Sequence, residues 1–250
     1  TGLLIPPSNI MVIYSLASGG VSIAALFVAG YVPGILLGLA LMAVAAVIAI
    51  IRGYPVGEKV AFGASVEIFF SALPSLLLIA IVMGGIILGW FTPTEASAIA
   101  VFYTFILSVV IYREIKWHEL PRLFTDAATT TSIVLLLVGT SMGMSWVMAS
   151  ANIPQTITEL LLAITDNKII LLIMINVMLL VVGTFMDMAP AVLIFTPILL
   201  PVVTKFGMDP IHFGILLIFN LCIGLCTPPV GSVLFVGCGV GGTSIARVWR

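Results

Sequence analysis

Two proline pairs interrupt apolar stretches of this chain, one near residue 6 and one near residue 228. Consecutive prolines remove two backbone donors and push the preceding residue out of helical geometry, so a helix must break at each pair. A break leaves carbonyl oxygens that can replace the hydration shell of a monovalent cation such as sodium. The predicted ligand groups are Pro6, Pro7, Ser8 and Asn9 in the first segment, and Cys226, Thr227, Pro228 and Gly231 in the second.

A third interruption, residues 183–190, separates two apolar stretches within 169–204. Each stretch has about 16 residues and covers only about 24 Å as a helix, which is short for a membrane span. This pattern predicts a re-entrant helical hairpin whose tip lies inside the membrane, and two complete spans are the alternative. The tip contributes Gly183, Thr184 and Asp187 to the candidate cation site formed with the second break.

Two acidic residues in apolar surroundings need an explanation, because a charged side chain is costly inside a membrane. Asp187 either caps the second arm of the hairpin or orients the tip around a cation, and the sequence leaves both open. Glu95 follows Thr92 and Pro93 at the spacing of a capping box, which predicts a structural role.

Three polar side chains within apolar helices could line a substrate path: Ser141, Asn176 and Asn220. For the two asparagines, a hydrogen bond between helices is the alternative interpretation, and for Ser141 the favoured alternative is close packing of helices. Cys222 and Cys226 are four residues apart, but two thiols without a third ligand do not make a tetrahedral metal site. We therefore expect sodium as the coupling ion, no transition metal and no other cofactor.

The composition requires lipid around these elements. The chain has 250 residues, of which 62% are hydrophobic and 8% are charged, whereas soluble domains have about 25% charged residues. Spans are predicted at 35–51, 72–90, 94–112 and 127–149, which makes this an all-α integral membrane protein. A net charge of −1 without a basic run argues against a nucleic-acid partner.

The chain contains an internal repeat at an offset of 222 residues. The identities are Gly2, Leu3, Pro6, Pro7, Gly19, Gly20, Ser22, Ile23 and Ala24 with their partners in 224–246. Four spans and one hairpin separate the copies, so the second copy starts on the side where the first one ends. Basic residues favour one face by seven to two, which predicts that this face is cytoplasmic. Inverted repeats with broken helices are typical of secondary transporters.

Several motifs resemble the large membrane subunit of the tripartite ATP-independent periplasmic (TRAP) transporters. They are spread over nearly the whole chain and are specific in combination. These motifs are 5–14 (Ile-Pro-Pro-Ser through Tyr14), 25–30, 92–96 (Thr-Pro-Thr-Glu-Ala), 185–190 (Phe-Met-Asp-Met-Ala-Pro), 209–214 (Asp-Pro-Ile-His-Phe-Gly) and 227–231 (Thr-Pro-Pro-Val-Gly).

The resemblance implies an elevator-type carrier with two re-entrant hairpins and sodium sites at the hairpin tips and helix breaks. It also implies a small four-helix membrane partner and a soluble periplasmic protein that delivers an organic acid. Relative to the family, the hairpin expected before Gly2 and the last helix after Arg250 are absent from this sequence. We divide the chain into 1–52 (end of the first repeat), 53–71 (cytoplasmic connector) and 72–250 (second repeat, with the hairpin at 168–205 and the broken helix at 210–246).

The expected function is sodium-coupled uptake of an organic acid across the bacterial inner membrane, with a sialic or related sugar acid favoured over a C4-dicarboxylate. A binding-protein-independent sodium/dicarboxylate symporter is the alternative. An intramembrane enzyme is disfavoured, because Asp126, Asp166 and Asp209 lie at span ends and neither histidine is in mid-span. No Gly-rich Lys-Ser/Thr loop for ATP is present.

Overall fold

The computed structural model describes residues 2–54, 62–153, 156–157, 159–160, 167–227 and 232–243. Within these ranges the regular structure is entirely helical, as predicted. The helices are α1 (Asn9–Ala17), α2 (Ile23–Arg52), α3 (Phe62–Ile87), α4 (Pro93–Phe105), α5 (Leu120–Ser150), α6 (Lys168–Phe185), α7 (Met188–Lys205), α8 (Pro210–Leu225) and α9 (Ser232–Val240).

The four predicted spans correspond to α2, α3, the segment Pro93–Ile111 that begins with α4, and α5, and each is long and apolar enough to cross a membrane. Helix α4 continues as a π-helix over Ile106–Ile111. Helix α3 begins at Phe62, inside the range assigned to the connector, while residues 55–61 of that range lie outside the described residues. Apolar side chains on α2 are widely exposed, as lipid contact requires.

Local signals fix several helix starts. The Thr92 hydroxyl accepts a hydrogen bond from the Glu95 N–H (3.3 Å), and the Glu95 carboxylate accepts one from the Thr92 N–H (2.8 Å). The predicted capping box is therefore confirmed. Asp209 caps α8 by accepting from the N–H of Ile211 at 2.8 Å, and Pro210 occupies the first turn.

Helices α6 and α7 form an antiparallel hairpin of two 18-residue arms. The ammonium group of Lys168, at the start of α6, donates to the carbonyl of Gly207, just after α7, at 3.4 Å. The chain therefore returns close to its starting point. Each arm is about 27 Å long at 1.5 Å per residue.

The described parts of the two copies of the internal repeat have similar local structure. In the first copy the nine-residue helix α1 is followed by Gly19 and Gly20, which both have positive φ angles. In the second copy the nine-residue helix α9 is followed by Gly241 and Gly242, and Gly242 has a φ of +58°. Helix α8 ends at Leu225, three residues before the second proline pair, and α9 begins at Ser232, while residues 228–231 lie outside the described residues.

The chain divides into two compact units. In the first, Thr1–Tyr31 with Thr131–Arg250, α1 packs on α7 and α8, and α6 packs on α8. Its core includes the fully buried side chains of Tyr14, Phe213 and Leu217. In the second unit, Val32–Thr130, α3 packs on α4, and the Tyr103 hydroxyl donates to the Pro74 carbonyl at 2.7 Å.

Candidate functional site: the hairpin tip and the helix breaks

The hairpin tip and the end of α8 are in direct backbone contact. A Cβ atom placed on Gly224 would lie 2.6 Å from both the Cα and the carbonyl carbon of Gly183. A Cβ atom on Gly183 would lie 3.2 Å from the Cα of Gly224 and 3.3 Å from that of Leu221. Gly183 is in the last turn of α6 and Gly224 is in the last turn of α8. The structure therefore brings the predicted tip residues next to the second helix break.

The hydroxyl groups at this contact are arranged so that their oxygen atoms remain available as ligands. Thr184 donates to the Val181 carbonyl at 2.6 Å, and Thr227 donates to the Ile223 carbonyl at 2.7 Å. A hydroxyl has one donor and two acceptor lone pairs, so donation to the helix leaves both lone pairs for a cation. Thr184 is buried and Thr227 is half-buried. Pro228 and Gly231 lie outside the described residues.

Asp187 occupies the N-cap position of α7, but its carboxylate accepts no hydrogen bond from the first turn of that helix. An N-cap side chain usually bonds the N–H of the second or third helical residue, and here the third is Pro190, which has no N–H. The carboxylate is exposed at the tip. Its negative charge therefore stays at the positive end of the α7 dipole without the local bond that a capping role provides.

Cys226 lines a cavity of about 300 Å³ between the second break and α9. The cavity has an almost entirely apolar lining that includes Val233, Leu234 and Cys238. Among the described residues no group of three or more His, Cys, Asp or Glu side chains is placed to hold a metal ion.

The segment predicted as the first break precedes α1, and its hydroxyl also donates to a carbonyl earlier in its own segment, as Thr227 does. Ser8 is 3% exposed, and its hydroxyl donates to the Leu3 carbonyl at 2.5 Å. Pro6 is buried, whereas Pro7 and Asn9 are exposed, and the peptide bond between the two prolines is cis. The break packs against α2, since a Cβ atom on Gly30 would lie 2.7 Å from the Leu4 carbonyl oxygen.

Helix α1 is fixed at the far end of α8 from the second break. The Tyr14 hydroxyl donates to the carbonyl of Pro210, the first residue of α8, at 2.6 Å. The Tyr14 ring also fills the space beside Gly214, where a Cβ atom would lie 2.4 Å from it. The second break follows the other end of this 16-residue helix, about 24 Å away along its axis. In the sequence, this tyrosine is marked only by its place at the end of the motif 5–14 that resembles the TRAP family.

The three residues assigned to a substrate path are not brought together. Ser141 lines a cavity of about 180 Å³ between the end of α1, α5 and α7. Asn176 and Asn220 instead join α6 to α8, because the Asn220 amide donates to the Asn176 side-chain oxygen at 2.6 Å. This is the interhelical hydrogen bond that the sequence left open as an alternative. Asn220 is 5% exposed and also donates to the Leu216 carbonyl at 2.8 Å.

The chain combines apolar helices of membrane-spanning length with a hairpin tip that packs against a broken helix. These features define the class of all-α membrane proteins in which irregular backbone lies where the surrounding protein can satisfy its hydrogen-bonding groups. Comparison with known sequences then gives the family. The profile described as "Tripartite ATP-independent periplasmic transporter, DctM component" matches residues 1–250. The chain belongs to this family of transporter components, and it is a multi-pass protein of the bacterial inner membrane.

Three relatives illustrate the match. The chain is 58% identical to the uncharacterized protein YgiK of Salmonella typhimurium over 99% of its own length and 57% of that protein. It is 42% identical to the isethionate TRAP transporter permease protein DctMQ of Oleidesulfovibrio alaskensis, over 99% of the chain and 39% of the relative. It is 41% identical to the 2,3-diketo-L-gulonate TRAP transporter large permease protein YiaN of Escherichia coli K12, over 95% of the chain and 56% of the relative. The chain thus spans well under two thirds of these relatives.

Proposed function

We propose that this chain contributes the coupling-ion sites to a sodium-driven carrier that takes up an organic acid by an elevator-type movement. The observation that supports this most directly is the backbone contact between Gly183 and Gly224. It places the hydroxyl of Thr184 and the end of the hairpin beside the break that contains Thr227. Carbonyl and hydroxyl oxygens are ligands that suit a hard cation, and no charged side chain is required.

Three helix ends meet near the tip, and one of them has the opposite polarity to the other two. The C-terminal ends of α6 and α8 present carbonyl groups, which favour a cation. The N-terminal end of α7 presents amide groups, which favour an anion. Sodium and a carboxylate-bearing solute can therefore bind near each other, and each neutralises part of the other's charge. Inward movement of one sodium ion supplies about 2.3 kcal/mol per 100 mV of membrane potential, so no ATP is needed.

The names of two relatives support small organic anions as the class of solute. One is described as an isethionate transporter protein and another as a 2,3-diketo-L-gulonate transporter protein, and both solutes are small organic anions. For this chain we propose a small organic acid as the solute, and we favour a sugar acid over a C4-dicarboxylate. We also propose the two partners that family membership implies, a small four-helix membrane subunit and a periplasmic binding protein.

Uptake into proteoliposomes tests the proposal. The full-length protein is reconstituted with its small membrane partner, and a panel of labelled organic acids is presented with and without the binding protein. Each condition is run with an inward sodium gradient and with a potassium gradient of equal size. Uptake that needs both sodium and the binding protein supports the proposal.

The other outcomes are equally informative. Sodium-dependent uptake without the binding protein would move the assignment to a binding-protein-independent sodium/dicarboxylate symporter. Equal uptake under sodium and potassium gradients would remove sodium as the coupling ion.

A further inference from the structure

A basic cavity lies at the end of the α4 span, within the second unit and far along the chain from the helix breaks. It has a volume of about 640 Å³, and we define it by Arg113, Lys116, His118, Trp117, Val109 and Val110. The two valines belong to the π-helix that ends the membrane span at Ile111, and the other residues follow it directly. The cavity is therefore at the level where a span leaves the hydrocarbon.

The cationic side chains of the cavity have no carboxylate partner in the part of the chain that the structure describes. The ion pair among the described residues joins Arg122 to Asp126 at 3.9 Å, and neither of these residues lines the cavity. The Glu119 carboxylate accepts a hydrogen bond from the backbone N–H of Lys116 at 2.9 Å, and this bond holds the turn in place. Arg113 and Lys116 thus bring two fixed positive charges to one cavity.

The backbone holds Arg113 in an uncommon conformation. Its φ angle is +54°, in the left-handed region that residues other than glycine rarely adopt. The next two N–H groups, of Glu114 and Ile115, donate to the Ser108 carbonyl at 3.0 and 3.3 Å. These bonds end the π-helix and keep Arg113 at the wall of the cavity.

The other wall of the cavity is apolar and accessible. Trp117 is 70% exposed, and its ring packs edge-on against Phe105 with the ring centroids 6.0 Å apart. Val110 is 54% exposed beside it. A small hydrophilic anion would gain nothing from these side chains, whereas a molecule with a charged head and an apolar tail would use both walls.

We infer that this cavity binds the phosphate headgroup of an anionic phospholipid, with Arg113 and Lys116 against the phosphate and the acyl chains along Val109, Val110 and Trp117. Guanidinium groups bind phosphate oxygens in a bidentate manner, and basic pockets at the cytoplasmic ends of membrane helices favour anionic headgroups. Arg113 and Lys116, two of the seven basic residues that predict the cytoplasmic face, lie in this loop. The inference does not depend on the proposed transport function.

Quenching of Trp117 fluorescence by brominated lipids tests the inference on the full-length protein in detergent micelles. Phosphatidylglycerol and phosphatidylcholine with brominated acyl chains are titrated separately, and the Trp117 component is the difference between each protein and its Trp117→Phe counterpart. We expect the concentration of lipid that gives half-maximal quenching to be about 30-fold lower for phosphatidylglycerol than for phosphatidylcholine. This ratio corresponds to about 1 kcal/mol of binding free energy from each of the two basic residues.

A matched pair of variants locates the effect. Arg113→Gln with Lys116→Gln should abolish the preference, whereas Arg52→Gln with Arg122→Gln removes the same charge outside the cavity and should retain it. If the double cavity variant does not purify as a single species, Lys116→Gln alone should reduce the preference about fivefold. Equal quenching by both lipids in the unmodified protein would overturn the inference. Relief of the quenching by inorganic phosphate would instead assign the site to a free anion.

Discussion

Single hydroxyl groups at the helix breaks share one arrangement. Ser8, Thr184 and Thr227 each donate to a carbonyl of their own segment and keep their lone pairs free. A hydroxyl that makes the same bond away from both breaks has no neighbouring break with which to form a cation site. Thr204, in the last turn of α7, is an example, since its hydroxyl donates to the Leu200 carbonyl at 2.8 Å.

Thr227→Val should raise the sodium concentration for half-maximal uptake about 5- to 30-fold, because it removes one oxygen ligand at roughly unchanged volume. Thr227→Ser keeps the oxygen and should stay within about twofold of the unmodified protein. Thr204→Val is the matched control and should have no effect. Sodium titration of uptake measures all three, and an equal shift for Thr204→Val and Thr227→Val would contradict the ligand assignment.

Asp187→Asn should weaken sodium dependence while the protein still inserts into the membrane and purifies normally. The carboxylate makes no capping bond, so its loss should cost little stability, whereas its charge at the tip favours a nearby cation. Asp126→Asn is the control, since Asp126 is an exposed acid paired with Arg122. An unchanged sodium requirement together with a lower thermal stability would show that Asp187 has a structural role.

Pairs of helices are joined at a few close contacts. Glycine has different roles at Gly224 and Gly84: a Cβ atom would collide with backbone at the first and would meet nothing within 4 Å at the second. Sequence alone does not distinguish these two glycines, since both lie within apolar helices.

Gly224→Ala should separate α6 from α8 and destabilise the protein by about 1–3 kcal/mol through overpacking. Gly84→Ala should be neutral or slightly stabilising, because alanine is the better helix former and the site has room. Thermal unfolding in detergent measures the first effect, and sodium titration of uptake should show a weakened site. Equal stability of the two variants would contradict the close contact.

The Asn176–Asn220 hydrogen bond should position the hairpin arm on α8. In a double-mutant cycle with Asn176→Leu and Asn220→Leu, we expect a coupling of about 0.6 kcal/mol in stability, with about 1.7 kcal/mol as the upper bound for such bonds in membranes. Both single variants should also raise the half-saturating sodium concentration, and the double variant should be no worse than the more affected single one. Additive effects on stability and uptake would show that the two amides act separately.

At the scale of the whole molecule, the repeat predicts opposite orientations for its two copies. Single cysteines replacing Lys116 and Lys205 should react with a membrane-impermeant reagent from opposite sides, the first from the cytoplasm and the second from the periplasm. The assay uses the full-length protein with Cys222, Cys226 and Cys238 replaced by alanine, in vesicles of both orientations. Labelling of both positions from one side would contradict the inverted arrangement.

The helices and most of their ends can be predicted from the sequence. Apolar stretches of span length, the capping box at Thr92 and the proline pair after Thr227 are local signals, because each depends on a few neighbouring residues and the solvent around them. The same reasoning identified the repeat, whose two nine-residue helices and following glycines have matching structures.

The tertiary structure alone decided which faces meet. A helix that is apolar all round has no periodic polar face to show which side is inside. The contact of Gly183 with Gly224, the bond between Asn176 and Asn220, and the anchoring of Tyr14 at Pro210 all depend on how helices distant in sequence rotate and approach each other. The cavity beside Arg113 likewise depends on a backbone turn at a residue whose type does not predict a positive φ angle.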